Sequence, residues 1–499
     1  MKLFNTASKK LEELKPIKTG QVSLYTCGPT VYDYAHIGNL RNAVFNDTLR
    51  RVIKLAGYKL NHVMNVTDVG HLVSDADEGE DKLETGAERE GKTVWEVAEF
   101  YTKKYVEDTE RLNVLPPGKF IKATDRIADQ IELVKLLIDK GYAYKTKQAI
   151  YFDVTKLDDY GKLSGQSLDE KLQGARDEVV TDSAKKHPFD FAVWFFTVGH
   201  FKDHTMHWPS PWGEGFPGWH TECSAIIHAT LGEPIDIHTG GIDHIGTHHT
   251  NEIAQSEAAY GKELAHIWLH NEFLLVDGQK MSKSLGNLYT LEQLEEKGYS
   301  AMALKILMLQ AHYRSELNFT WQSLRAAENT YKGINSFFSR LAGLENLPSG
   351  SSSDITTLVS TSTEEFDNRL LNDLDTPGGL AVMFKTIKEV EKFGAENLKS
   401  DDAAGLLEFF AHVREVLGIT AKINIELAAK TQAEANVIIE ASQLTNKQKS
   451  LVEQRERARQ DKDFEGADKL RKQLLAQGIE LEDTADGPRW RRINPRVDG

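Results

Sequence analysis

A chain of 499 residues with 40% hydrophobic and 27% charged residues has the balance of a globular protein with a sizeable core, and at about 150 residues per domain it holds two to four domains. Its two cysteines, Cys27 and Cys223, are too few for a disulfide-stapled secreted fold; residues 1–17 are rich in lysine and glutamate where a secretory signal is apolar; and no run approaches the ~20 apolar residues of a membrane span, so a cytoplasmic setting is expected. The formal net charge of −15 excludes broad adhesion to polyanions but leaves local phosphate contacts open.

Residues 21–26 read as a buried strand, broken by Cys27-Gly28-Pro29. From 36 to 56 the apolar spacing turns helical, and Gly57 fits the stop just past a helix. Residues 59–66 read as the next strand. A strand, a helix and a second strand open a βαβ unit, which predicts an α/β fold with a doubly wound parallel sheet. The acidic stretch 75–90 reads as a solvated insertion, and 120–207 as a mixed α/β insertion with an amphipathic helix at 127–140. The sheet is expected to resume at 235–238 and again at 273–276.

After Ser300 the strands fade, and 300–345 is helical by period. Residues 347–354, with Pro348, Gly350 and three consecutive serines, read as a linker. Helical periodicity follows over 364–429, then one charged helix at 451–477 ending at Gly478, then a basic tail. There is no repeat of fixed period.

Two short motifs lie about 240 residues apart, each after a predicted strand. His36-Ile37-Gly38-Asn39 stands where the first helix begins. A helix N-terminus offers N–H donors and partial positive charge to phosphate. Gly38 leaves room for a nucleotide against the backbone, and His36 and Asn39 are placed to donate to phosphate oxygens. The second motif, Lys280-Met281-Ser282-Lys283-Ser284, follows Asp277-Gly278-Gln279. Its two lysines can neutralise charge building on departing pyrophosphate, as adenylate formation by positioning and electrostatics requires. Taken singly, the first string is an ordinary surface histidine and the second a basic loop; their order and context make the signal.

These two runs resemble the signatures of class I aminoacyl-tRNA synthetases. The enclosing residues 25–33 and 280–287, together with Gly218-Trp219-His220-Thr221-Glu222-Cys223 and Asn372-Asp373-Leu374-Asp375-Thr376-Pro377, resemble cysteinyl-tRNA synthetases in particular, over nearly the whole chain. The resemblance implies a Rossmann-like catalytic domain in two halves, 1–119 and 208–299, around a connective insertion at 120–207. It implies a helical stem-contact region at 300–346, an α-helical anticodon-binding bundle at 355–430, and a small C-terminal tRNA-contacting module at 440–499. It further implies ATP with Mg2+ as substrate at His36, Gly38, Asn39, Gly240, Asp243, Lys280, Ser282 and Lys283, with His36, Asn39, Lys280 and Lys283 catalytic.

Cys27, Cys223, His248 and Glu252 are the candidate metal ligands. Thiolate, imidazole and carboxylate together form a zinc set, expected once per chain. His248 and Glu252 are four apart in a helical segment and share a face. His249, three from Glu252, reaches that face equally well; spacing leaves the two open, and the resemblance favours His248. Cysteine and serine differ by one atom, and apolar pockets resolve such differences by only ~1–3 kcal/mol. Discrimination of 10⁴ needs roughly 5.5 kcal/mol. A substrate thiolate entering the metal shell supplies such a gap, with Glu252 the ligand expected to loosen and no editing domain required. Cys27, Thr67, Trp219 and His248 are the expected substrate-binding residues, and Thr67 with Asp68 suits the amino group. Trp219 either closes the pocket or simply packs.

The chain departs from the family pattern at Val69-Gly70-His71-Leu72, where further acidic residues and a lysine usually follow Asp68; here Asp81-Lys82 come later. It departs again at Gly246-Thr247, where a Phe-Pro pair is usual. In the tail, Arg489, Trp490, Arg491 and Arg492 suit phosphate contact and base stacking. The expected partners are tRNA(Cys), L-cysteine and ATP, with no membrane and a monomeric state. The alternatives are a cysteine ligase that passes its adenylate to an amine, and a non-catalytic zinc- and RNA-binding relative; paired lysines for pyrophosphate argue against the second.

Overall fold

A computed structural model describes residues 1–70, 81–165, 184–419, 444–461, 463–477, 479–484 and 487–492. They fall into two units, 1–420 and 421–499. Among the described residues, no helix is long and apolar enough to cross a membrane.

In the first unit a hairpin of β1 (Lys2–Asn5) and β2 (Lys10–Glu13) precedes a five-stranded sheet. The sheet is built from β3 (Gln21–Thr26), β4 (Lys59–Val66), β5 (Lys119–Lys122), β11 (Ile235–Gly241) and β12 (Ala265–Asn271). Its spatial order is β12-β11-β3-β4-β5, with every neighbour parallel. The chain runs outward from β3 to one edge, then returns to β3's other side. That reversal opens a crevice at the carboxyl ends of β3 and β11, the usual ligand position in doubly wound sheets.

Between β3 and β4 lies α1 (Ile37–Leu55), whose Leu40, Val44, Leu49, Val52 and Ile53 enter the main core at helical spacing. Gly57, at φ +83°, ends it as expected. Between β4 and β5 come α2 (Lys82–Glu90) and α3 (Val94–Arg111), so the acidic stretch 75–90 is helical over its last part. Asp81 caps α2 by accepting from Leu83 N and Glu84 N, which gives the acid a structural use. His71, Leu72 and the rest of 71–80 lie outside the described residues.

The insertion holds α4 (Ile127–Asp139) and an antiparallel sheet of β6 (Ala143–Lys145), β7 (Ala149–Phe152), β8 (Phe191–Phe196), β9 (Trp208–Ser210) and β10 (Gly213–Pro217), in the order β6-β7-β8-β10-β9. Two boundaries move. Position 120 falls inside β5, which pairs with β4 of the parallel sheet, and position 207 falls before β9 and β10, which pair with β8 and carry the insertion to Pro217. After β10 come α5 (Trp219–Thr230) and, beyond β11, α6 (His248–Tyr260).

The expected strand at 273–276 is β13 (Leu274–Val276), but it lies in a separate small sheet with β14 (Gln279–Lys280) and β15 (Leu317–Phe319). The fifth parallel strand is β12, whose sequence AHIWLHN hides it: His270 and Asn271 stand at its carboxyl end, which borders the site, and His266 near its amino end is exposed. After α7 (Leu291–Glu296) and α8 (Ala301–Leu309), a bundle follows of α9 (Trp321–Ala342), α10 (Ser353–Leu371), α11 (Thr376–Phe393) and α12 (Ser400–Leu417). Residues 347–354 do not divide units. Phe337, Phe338, Phe366 and Phe410 on either side share one core with α1.

The second unit has α13 (Asn446–Gln460), α14 (Phe464–Ala476) and a hairpin of β16 (Ile479–Thr484) and β17 (Gly487–Arg492) around Leu444, Val452, Leu474 and Ile479. The single helix expected at 451–477 is therefore two, because Asp463 turns its carboxylate onto Gly466 N and starts a new helix. Gly478 and residues 420–443, with the end of the expected bundle, lie outside the described residues.

Candidate metal centre and nucleotide site

Cys27 follows β3, Cys223 lies one turn into α5, and His248 and Glu252 lie in the first two turns of α6. All four are buried, and one ligand atom from each falls within 4.8 Å of the others. Glu252 Oε1 is 2.6 Å from His248 Nε2 yet takes part in no well-formed hydrogen bond. The pocket thus gathers an imidazole, a carboxylate and two thiols within reach of one ion. That donor set fits a zinc ion.

Burial opposes ionisation of Cys27, but the Cys223 thiol and the His249, His244 and His248 rings hold it well below the usual thiol range. Burial likewise disfavours the Glu252 carboxylate, yet His248 and His238 hold its pKa below the usual value. The Cys223 thiol, by contrast, is pushed up by burial and by Cys27, so a cation binding here has one thiol proton to displace.

A second set, Cys27, His238, His249 and Glu252, meets the same distance limit. His238 Nε2 is 2.6 Å from Glu252 Oε2, and His249 Nε2 is 3.4 Å from Cys27 Sγ. Each rival histidine is braced on its far side: His248 Nδ1 by His220 Nδ1 at 2.9 Å, and His249 Nδ1 by His270 Nε2 at 2.8 Å. Sequence reasoning missed His238, His220 and His270. A signal was present for two of them, since His238 lies two residues before Gly240 and His220 follows Trp219; His270 offered none, because its strand β12 was not read from the sequence.

Trp219 opens α5, half-buried, with its ring centroid 4.5 Å from that of His248. Thr67 is buried at the end of β4 and donates its hydroxyl to Glu222 Oε1. Asp68 accepts from Thr124 N at 3.0 Å and from Thr124 Oγ1 at 2.6 Å. Its carboxylate is thus used to hold the turn after β5.

His36 caps α1. Its Nδ1 accepts from Gly38 N at 3.1 Å and Asn39 N at 3.4 Å, while Asn39 Oδ1 accepts from His36 N at 3.1 Å. The N–H groups expected to be free for phosphate are therefore engaged by the motif itself. An accepting Nδ1 puts the neutral ring's proton on Nε2, which remains a donor. Burial, aided by Lys283 and opposed by Asp33, lowers the His36 pKa and favours that neutral ring. Gly38 is needed for close approach: a Cβ there would lie 2.3 Å from Met281 Cε.

The second motif folds back on the first. Lys283 Nζ donates to Asp33 Oδ2 at 2.9 Å and stands 5.3 Å from the Tyr32 ring centroid. Lys280 is exposed, its Nζ 4.8 Å from the Phe273 ring centroid. Ser282 N donates to Asn287 Oδ1 at 2.8 Å, tightening the loop. Gly240, next to last in β11, lies against the His249 and His244 rings, and Asp243 is exposed in the turn that follows. Arg489, Trp490, Arg491 and Arg492 lie apart in sequence, in β17 of the second unit, their backbones paired with residues 482 to 479 of β16.

Known proteins match this arrangement. The profile of the tRNA synthetases class I (C) catalytic domain covers residues 13–329, and that of the DALR domain covers 365–422. A cysteine–tRNA ligase of Treponema denticola is 42% identical over 99% of this chain and 100% of its own length. One of Thermus thermophilus is 39% identical, covering 98% of each. Among solved structures, Mycobacterium tuberculosis methionyl-tRNA synthetase in complex with methionyl-adenylate aligns with a TM-score of 0.56 at 14% identity, over 80% of this chain and 90% of that one, a likeness of fold alone. A parallel sheet reversed at β3, two buried thiols gathered with histidine and glutamate, a histidine-capped α1 and full-length relatives agree: the chain belongs to the cysteine–tRNA ligase family of class I tRNA synthetases.

Proposed function

We propose that this chain activates L-cysteine with ATP to cysteinyl-adenylate and transfers the cysteinyl group to the 3′ terminal adenosine of tRNA(Cys). The observation that carries the reading is the buried Cys27–Cys223–His248–Glu252 cluster at the strand ends beside the α1 N-terminus. It pairs a sulfur-seeking pocket with a phosphate-handling one.

In the first step the cysteine carboxylate attacks the α-phosphorus of ATP and pyrophosphate leaves. His36 Nε2 and Asn39 steady phosphate oxygens, Gly38 admits the nucleotide against the backbone, and Lys280 and Lys283 neutralise the departing charge with Mg2+. Ser282 shapes the loop that carries the lysines, and Gly240 and Asp243 border the nucleoside. Thr67, Trp219, Cys27 and His248 line the amino-acid pocket. A zinc ion, one per chain, held by Cys27, Cys223, His248 and Glu252, would supply a Lewis-acidic centre that prefers a thiolate to a hydroxyl.

The DALR match over 365–422 supports a bundle that reads the anticodon, with 300–346 along the stem. The run Arg489-Trp490-Arg491-Arg492 supports a C-terminal tRNA contact. The enzyme is read as a cytoplasmic monomer. Cysteine-dependent ATP–pyrophosphate exchange followed by charging of tRNA(Cys) tests the whole. Exchange without charging points to an amine acceptor, and absence of both overturns the reading.

A further inference from the structure

The departure from the family pattern after Asp68 is closed up in space. Gly70 follows β4 and Asp81 opens α2, yet the two abut: a Cβ on Gly70 would run into the Asp81 carboxylate. The chain on either side of 71–80 thus meets at one point, and Lys82 is delivered to where a residue close behind Asp68 would stand. Asp81 is held there through both oxygens. Its Oδ1 accepts from Leu83 N at 2.7 Å and Glu84 N at 3.0 Å, and its Oδ2 lies 2.9 Å from His204 Nε2. Glu84 Oε1 accepts from Thr205 N at 2.7 Å, so the start of α2 is pinned to the insertion.

That placement sets the half-buried Lys82 between two rings. Its Nζ is 5.9 Å from the ring centroid of Trp219 and 5.9 Å from that of Tyr32. Each ring belongs to a different pocket. Trp219 lies against His248 of the thiol pocket, and Tyr32 has the Lys283 ammonium 5.3 Å from its centroid. The border between the two pockets is where the carboxylate of cysteine meets the α-phosphate of ATP. Both groups are negative, so their approach calls for a cation at that border. Lys283 donates to Asp33 and Lys280 stands over Phe273, both on the loop assigned to pyrophosphate. Lys82 comes from the other side, beside the amino-acid pocket. An ammonium has three donors, so it can hold a substrate oxygen alongside its other partners.

We infer that Lys82 is a further catalytic residue: its ammonium holds one oxygen of the substrate carboxylate and leaves the other aimed at the α-phosphorus. That second oxygen forms the new bond to phosphorus, the bond from phosphorus to the bridging oxygen breaks, and pyrophosphate departs with its electron pair. Lys82 keeps its protons throughout. The inference rests on the proposed cysteine pocket and adds to it the group that orients the nucleophile.

The test uses the zinc-loaded full chain and two probes, L-cysteine and cysteamine, which has the same thiol and amine but no carboxylate. Both are titrated calorimetrically into wild type, Lys82→Met, which keeps a long apolar stem between the two rings, and Lys82→Arg, which keeps the charge. Wild type is expected to favour cysteine by about tenfold or more. Lys82→Met should lose that preference while its affinity for cysteamine stays within about twofold, and Lys82→Arg should retain most of it. Cysteine-dependent ATP–pyrophosphate exchange at saturating ATP should fall about 10²-fold in Lys82→Met, with the KM for ATP within about threefold of wild type. Equal weakening of both probes, an unchanged preference, or a loss confined to the KM for ATP overturns the inference. If Lys82→Met does not fold, Lys82→Gln takes its place under the same criteria. Wild type that binds both thiols without preference is equally fatal, whereas failure of wild type to bind either would instead remove the cysteine pocket itself.

Discussion

Lys283 and Asp33 are 250 residues apart in sequence and 2.9 Å apart in space. The pair brings the lysine-rich loop down on the turn that leads into α1. Both side chains are partly exposed, so the contact is worth no more than about 1 kcal/mol after screening. Asp33→Asn is expected to raise the KM for ATP by no more than about fivefold, since 1.4 kcal/mol is a factor of ten. Lys283→Ala, by contrast, should lower the pyrophosphate-exchange rate by about 10²–10³-fold. Exchange kinetics over a range of ATP concentrations check both, and equal effects would count against the division of labour.

Gly38→Ala places a methyl group 2.3 Å from Met281 Cε. Met281 is flexible and can withdraw, so stability should change by less than about 1.5 kcal/mol. The loop, however, no longer seats. Exchange activity should fall, and Met281→Ala in the same chain should restore part of it. A double variant no better than Gly38→Ala alone would show that crowding against Met281 is not the cause.

The two overlapping ligand sets make opposite demands on the histidines behind them. If His248 is the ligand, His220→Ala should weaken zinc binding by about 10–100-fold, and His270→Ala should leave it nearly unchanged. The reverse order would transfer the site to His249 and His238. Competition with a chromophoric chelator measures both. Cys27→Ser should lose zinc in either case, because Cys27 belongs to both sets.

Asp47 on α1 joins Lys305 of α8, at 2.9 Å, and Arg51, at 2.9 Å, in a fully buried group. Burial disfavours the carboxylate, yet Lys305 and Arg51 outweigh it and hold the Asp47 pKa below the usual range. A folded-state value below the unfolded one gives stability that is present above the ordinary carboxylate range and lost as pH falls through the depressed value. Asp47→Asn should therefore cost about 3–5 kcal/mol at neutral pH, and the gap from wild type should narrow below about pH 4. Urea unfolding at several pH values checks the magnitude and the sign together.

Elements whose apolar pattern answers to a single environment were legible in the sequence. Strands 21–26 and 59–66 run from the surface into the core, and helix 127–139 buries one face through Ile127, Gln130, Leu133, Val134 and Leu137, and their patterns show it. β12 was not legible, because a strand that ends at a polar site mixes histidine and asparagine into its apolar run. The break between α13 and α14 was missed for a local reason, a capping aspartate inside a charged stretch that suits a helix throughout. In the site, the thiols and the paired histidines stood out by rarity and spacing. Glu222 and Asp33 did not, since their partners come from distant segments that only the folded sheet brings together.

The place of β3 at the middle of the parallel sheet has a consequence for biosynthesis. One of its edges pairs with β4, which follows soon after, but the other waits for β11; Ser23 and its partner Asp236 are 213 residues apart. While the ribosome makes the intervening chain, β3 presents an open edge, and Cys27 stands without Cys223, His248 or Glu252. Newly made chains that stall within the insertion are therefore the ones most exposed to mispairing with another copy and to oxidation, and a nascent-chain chaperone would have most to guard in that interval.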